Sequence, residues 1–178
     1  MNISQQFAPP FKLVSSFFIS ALLIFLVSIA LLFNFDINLL HSQSTMVLSW
    51  VHLYLLGFVM MSIFASMAQL LPVVLEVEHF SIDLYYVVNP LLFMGTTLIF
   101  IGFYKYPMVL SYGGVIVFIS FFIFLFESFL TIKKLKKLNF LSSTVLVANI
   151  FLFSGLVVAI LLSFVYSGVL FLNIKALM

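Results

Sequence analysis

Residues 107–130 read PMVLSYGGVIVFISFFIFLFESFL, and this stretch decides the fold class. Glu127 is its only charged residue. A helix needs about 20 apolar residues to cross the roughly 30 Å hydrocarbon core of a bilayer. The stretch is long enough, so we predict that it is a transmembrane helix.

The composition of the whole chain agrees with this prediction. Of 178 residues, 65% are hydrophobic, 18% are aromatic and only 7% are charged, whereas an ordinary soluble domain has about 25% charged residues. So few charges cannot cover the surface of a soluble protein of this size. The composition therefore excludes a soluble enzyme, a nucleic-acid-binding protein and a disordered chain, and it predicts an integral membrane protein surrounded by lipid.

Four further apolar runs have a similar length. They are apolar throughout, whereas the strands of a membrane barrel alternate between apolar and polar residues, and helices satisfy their backbone groups within each segment. We therefore predict an all-α integral membrane protein in which residues 1–178 form one domain, a bundle of five transmembrane helices. The predicted spans are residues 12–33, 46–75, 84–104, 107–130 and 144–172.

The lysines predict the orientation of this bundle. Five of them fall on one side of the predicted membrane and two on the other, and positively charged residues tend to stay in the cytoplasm. The N-terminus is then inside and the C-terminus outside. The abundance of Phe, Ile, Leu and Lys without any Arg indicates an AT-rich bacterial genome, and we expect the inner membrane of a bacterium. The inner lysines are Lys12, Lys133, Lys134, Lys136 and Lys137, and the outer ones are Lys105 and Lys175.

The residue types that are missing limit the chemistry. Without Cys the chain has no disulfide, no thiolate ligand and no Cys-anchored haem. Without Arg, a site for phosphate or nucleotide is not expected. No nucleotide-binding, zinc-protease or serine-hydrolase motif occurs. A metal or haem would have to be bound by His, Met or carboxylate groups, and we expect no catalytic activity from this chain by itself.

The second span carries the most informative side chains. Residues 50–74 read WVHLYLLGFVMMSIFASMAQLLPVV, with His52 near the outer end. At 100° per residue, Ser62, Ser66 and Gln69 fall within about 100° of His52. Polar groups at membrane depth usually face the interior of a bundle. We therefore predict that these four side chains form a polar arc facing the other helices.

His52 has two interpretations. In the first it ends the helix at the level of the lipid headgroups, beside Trp50 and Tyr54. In the second it is a ligand of a haem iron or another metal, since neutral imidazole is the commonest such ligand. Further along the span, Pro72 frees one backbone carbonyl and is expected to kink or end the helix.

The remaining ionisable residues give weaker signals. Glu127 is expected to reach the inner membrane surface or pair with the nearby lysines, and His41 to be solvated. The inner connection after the second span has a composition that suits a divalent cation, but a solvated acidic loop is the favoured interpretation. Its ionisable residues are Glu76, Glu78, His79 and Asp83.

Small residues predict where helices approach one another, because small side chains let backbones pack closely in a membrane. The third span has one such face, the fifth has another, and the fourth has a glycine pair. These residues are Gly95 and Gly102; Ala148, Gly155 and Ala159; and Gly113 with Gly114.

The stretch from His52 to Pro72 resembles the second helix of subunit I in the haem–copper oxidase superfamily, and in particular the short subunit-I-like and NnrS-type membrane haem proteins. The shared pattern is His, then Gly57 five residues on, a turn of small residues, and Gln-Leu-Leu-Pro at residues 69–72. The later Gly102–Phe103 and the Gly113–Gly114 pair fit the same order. The resemblance implies that His52 is an axial ligand of a b-type haem near the outer face.

The chain also departs from that family. Ala65 and Ser66 replace the usual glycine in the small turn. The resemblance covers only the N-terminal half of such a protein, and the family's second axial His and copper ligands lie in later helices. The chain is therefore not expected to be a complete oxidase by itself.

A second axial ligand would then come from another chain. We predict a parallel homodimer in which His52 of two copies shares one iron, or a second membrane subunit that supplies a His. Met46 and Met108 are poorer candidates.

The alternative function is a non-catalytic structural or assembly subunit of a respiratory membrane complex, with no cofactor of its own. A small transporter ranks last, because few polar residues fall at the middle of the membrane.

Overall fold

A computed structural model describes residues 8–33, 35 and 44–170, and every regular element in this part of the chain is a helix. Within these residues, five helices are long and apolar enough to cross a membrane, which confirms the prediction of an all-helical fold with five helices of membrane-spanning length. His41 and Lys175 lie outside the described residues. The helices are α1 (Phe11–Leu32), α2 (Thr45–Leu75), α3 (Asp83–Tyr104), α4 (Val109–Lys133) and α5 (Phe140–Tyr166).

The core lies among the first four helices. α1 packs against α2, the first half of α2 packs against α3, and α3 packs along the whole of α4. Large aromatic side chains fill the centre: the rings of Phe64 in α2 and Phe124 in α4 stack with centroids 4.0 Å apart, and Phe17 in α1 packs edge-on against Tyr85 in α3. Interdigitated aromatic rings of this kind fix the relative positions of the four helices.

Glycine allows the close approach of α3 and α4, as the sequence predicted. A Cβ added to Gly113 would lie 2.8 Å from the backbone nitrogen of Ile99, and one added to Gly95 would lie 3.0 Å from that of Val117. The obstacles are backbone atoms, which cannot move aside as a flexible side chain can. The two backbones are therefore in contact because neither position has a side chain.

A Gly113→Ala substitution should consequently force α3 and α4 apart. Overpacking of a dense core costs about 1–3 kcal/mol, and we expect a loss of about 2 kcal/mol in the free energy of unfolding, measured by denaturant titration in detergent micelles. Gly155→Ala is the matched control, because a Cβ at Gly155 meets nothing within 4 Å. Equal stability of the two variants would contradict the backbone contact.

The small face predicted for α5 has a different role from the one expected. Ala148, Gly155 and Ala159 are all exposed in this chain, so the prediction that they pack against a neighbouring helix is wrong within the described residues. α5 contacts mainly α4, where Asn149 Nδ2 donates to Ser128 Oγ at 2.9 Å. Most of α5 is exposed, with only 6% of its most apolar 18-residue stretch buried.

Candidate functional site: His52 and an apolar cavity

His52 lies at a change in the geometry of α2. The segment Thr45–His52 is α-helical, Leu53–Met60 is a π-helix, and Met61–Leu75 is α-helical again. π-helical turns are rare and often occur at functional sites. His52 is thus the last residue before a widened stretch of helix, in which each turn holds more residues than in an α-helix.

The imidazole of His52 is oriented by its own helix. Its Nδ1 is 2.7 Å from the carbonyl oxygen of Leu48, and its ring lies against Phe103 of α3 with centroids 4.7 Å apart. A carbonyl only accepts hydrogen bonds, so Nδ1 carries the hydrogen and Nε2 of the neutral ring keeps its lone pair. Histidines that bind metals are commonly oriented by this kind of bond to a backbone carbonyl.

His52 lines an apolar cavity of about 660 Å³ between α2, α3, α4 and α5. This volume is within the roughly 300–1,000 Å³ of small-molecule and cofactor sites. Apart from His52, the polar side chains at its wall are Ser163, which donates to the carbonyl of Ile160 in its own helix, and Tyr166. Apolar residues that line it include Leu55, Leu56, Val59, Met60, Ile99, Phe103, Val117, Phe121, Leu152 and Leu156.

The aromatic neighbours of His52 in sequence face another part of the bundle. Trp50 stacks on Tyr54 with centroids 5.5 Å apart, and its Nε1 donates to the carbonyl of Ser28 in α1 at 2.9 Å. His52 instead contacts Phe103 in α3. The three residues do not form one aromatic group, so the surroundings of His52 are those of the cavity.

The predicted polar arc is wrong. Ser62 and Ser66 are only partly buried and donate to carbonyls of their own helix, while Gln69 is exposed. The prediction placed these side chains around the helix axis at the roughly 100° per residue of a regular α-helix. The π-helix between His52 and Met61 has a smaller rotation per residue, which shifts the later residues to another face. From Met61 onward, the face that α2 buries is instead made of Met61, Phe64, Ala65, Ala68, Leu71, Pro72 and Leu75.

The structure also places the residues considered for a second axial ligand. Met46 and Met108 are absent from the cavity wall, and Met108 is 78% exposed. In the described part of the chain, His52 is the only imidazole that lines the cavity. Leu53, next to it, is buried in the core of its own chain and is therefore not available for contacts with a second copy.

A second polar site, which the sequence did not predict, lies at the opposite end of the bundle. His79 Nδ1 is 2.8 Å from Oε1 of Glu127, and the two side chains are only 6% and 1% exposed. The expectation that Glu127 reaches the surface or pairs with lysine is therefore wrong. Glu127 is held inside the bundle by a residue 48 positions earlier in the chain.

The expected acidic loop is only partly correct. Glu76, Glu78 and Asp83 are exposed, as a solvated loop requires, but His79 is buried against Glu127. Within the described ranges, no group of three or more His, Cys, Asp or Glu is placed to hold a metal ion, so the structure does not support a divalent-cation site in this connection.

The fold and these two sites define a class: a five-helix membrane protein with an imidazole facing an apolar cavity and a buried His–Glu pair. Comparisons with models of protein families, with curated proteins and with solved structures found no match to this chain.

Proposed function

We propose that this chain is a membrane haem-binding protein in which His52 is an axial ligand of a b-type haem. The observation that carries the proposal is the His52 ring itself, which is fixed by the Leu48 carbonyl at 2.7 Å and lines an apolar cavity of about 660 Å³. Imidazole with a hydrogen-bonded second nitrogen is a usual ligand of haem iron.

The cavity wall suits a large, flat, apolar group. Phe103 and Phe121 offer aromatic surface, and Gly155 leaves open space on the α5 side, where an added Cβ meets nothing within 4 Å. A bound haem would supply an iron that accepts and donates single electrons. The residues of this chain would orient His52, exclude water from the macrocycle and supply one strong ligand.

The second ligand is part of the proposal. The described cavity wall contributes a single imidazole, and in this proposal a His from a second copy or from another membrane subunit completes a six-coordinate iron. We further propose that the lysine-rich connection between α4 and α5 faces the cytoplasm, with the N-terminus inside and the C-terminus outside, in a bacterial inner membrane. The cavity then lies toward the outer face.

A structural or assembly subunit without a cofactor is the second candidate. The exposure of α5 favours it, since the rest of the described chain buries only 6% of the most apolar stretch of this helix. A helix in this position can pack against another membrane subunit through its small residues, such as Ala148.

Filling the cavity distinguishes the two functions. We expect the purified protein to bind added haem with a Soret band, and Gly155→Leu to weaken binding by about tenfold or more, equivalent to about 1.4 kcal/mol. Ala148→Leu adds the same side chain to an exposed position of α5 outside the cavity wall and should bind haem as the wild type does. A wild-type protein that takes up no haem, but co-purifies with a membrane subunit, would favour the structural function.

A further inference from the structure

The histidine of the buried His–Glu pair bonds to a backbone carbonyl of α2 that lacks its usual partner. Pro72 has no N–H, so the carbonyl of Ala68, four residues earlier, has no α-helical partner. His79 fills this place: its Nε2 is 2.7 Å from that carbonyl oxygen. A carbonyl can only accept, so Nε2 of His79 must carry a hydrogen.

The other nitrogen of His79 faces a carboxylate oxygen that has three hydrogen-bond partners. Oε1 of Glu127 is 2.8 Å from Nδ1 of His79, and it also accepts from the backbone N–H of Phe80 at 3.2 Å and from the hydroxyl of Thr131 at 2.7 Å. At 2.8 Å, Nδ1 and Oε1 must have a hydrogen between them, because two facing lone pairs repel. The pair therefore binds one proton on this line and has no net charge.

Two further residues pack around the pair. Just after α4, the ammonium of Lys134 donates to the carbonyls of Glu78 and His79 at 3.2 and 2.7 Å, which holds the backbone of the connection in place. From α3, the ring of Tyr85 lies edge-on to His79 with centroids 5.2 Å apart. Oε2 of Glu127 is buried without a hydrogen-bond partner, so one oxygen of the carboxylate is unsatisfied, and a net negative charge on it is costly in this buried position.

We propose that His79 and Glu127 form a proton-binding site that holds the connection between α2 and α3, residues 76–82, against the bundle. When the Nδ1–H bond breaks, the electron pair stays on Nδ1, the proton passes to water, and the imidazole becomes neutral. The carboxylate of Glu127 then faces a lone pair in a buried site. The connection relieves this repulsion by moving His79 out toward the exposed residues Glu78 and Lys134.

The sign of the pH dependence follows. When residues 76–82 lie against the bundle, the His79–Glu127 pair binds one more proton than when they have moved out. The position against the bundle is therefore favoured at low pH and is lost as the pH rises. The other ionisable groups nearby are the exposed carboxylates of Glu76, Glu78 and Asp83. From α2, the group that faces the pair is the Ala68 carbonyl.

A spin label tests the proposal. The chain has no Cys, so Glu78→Cys gives a single labelling site at an exposed position of the connection. In lipid nanodiscs, from about pH 5 to pH 9, a range that spans ordinary His titration, we expect the immobilised component of the label's spectrum to be lost as the pH rises. Glu127→Gln should keep that component at every pH, because its amide donates to neutral Nδ1 while its oxygen still accepts from Phe80 and Thr131.

A label at Lys137, on the connection between α4 and α5, reports on general loosening of the same end. A Glu78 label that does not respond to pH overturns the proposal, as does the same response in Glu127→Gln. A Lys137 label that loses its immobilised component at the same pH midpoint also overturns it, because this whole end of the bundle would then loosen together. A response confined to the Glu78 label and abolished by Glu127→Gln supports it.

Discussion

Replacing His52 with alanine is expected to abolish the binding of haem that we propose for this protein. In the proposed site, His52 is the only imidazole from the described chain at the cavity wall, and apolar packing alone does not hold the iron. We expect the Soret and α-band changes in a reduced-minus-oxidised spectrum to be absent from the purified variant.

The fold should survive this change, because the His52 side chain bonds only to its own helix and packs on Phe103. Ser163→Ala is the control, since it removes a different polar group from the cavity wall and should leave the spectrum intact. Haem spectra of equal strength in His52→Ala and the wild type would refute His52 as the ligand.

The number and type of the helices could be predicted from sequence because lipid imposes a simple rule. A segment in the bilayer must satisfy its own backbone and present apolar side chains on all sides, so length and hydropathy suffice. The contact between α3 and α4 was also predictable. Gly95 and Gly113 mark places where two backbones touch, and no other residue leaves that space.

Which face of each helix is buried was harder to predict, because lipid requires apolar side chains on every face. A membrane helix that is apolar all round has no clear periodicity to show which side is buried. Counting at a constant angle then depends on a regular helix, and the π-helix at Leu53–Met60 breaks that regularity between His52 and Gln69. The small residues of α5 looked like a packing face, but Gly155 and Ala159 line the cavity.

The His79–Glu127 pair shows a different limit. Its members are far apart in sequence, and His79 stood among acidic residues that are indeed exposed. The available clue was Pro72, which leaves the Ala68 carbonyl without a partner in a segment where an unpaired backbone group is costly. On that ground a donor for this carbonyl could be sought nearby, and His79 lies seven residues after Pro72. The carboxylate of Glu127, which faces the other nitrogen of His79, could only be found from the packing of α4 against α2.

Glu127→Ala is accordingly expected to destabilise the protein more than any other single change at that end. It leaves His79 Nδ1 and the Thr131 hydroxyl without the acceptor they share, while the Phe80 N–H keeps only its bond to Thr131 Oγ1 at 2.9 Å. Removing one member of a buried pair costs about 3–5 kcal/mol. Hydrogen bonds between membrane helices are often weaker, about 0.6 kcal/mol on average, so we expect a loss of about 3 kcal/mol in the free energy of unfolding in detergent micelles.

The size of that loss depends on the carboxylate's position rather than on its charge alone. Glu78→Ala removes an exposed carboxylate from the adjoining connection and should change stability by less than about 0.5 kcal/mol. Glu127→Gln keeps an acceptor for Phe80 and Thr131 and should lose only about 1 kcal/mol. If Glu127→Ala is no less stable than Glu78→Ala, then the three donors find other partners, and the pair does not hold residues 76–82 against the bundle.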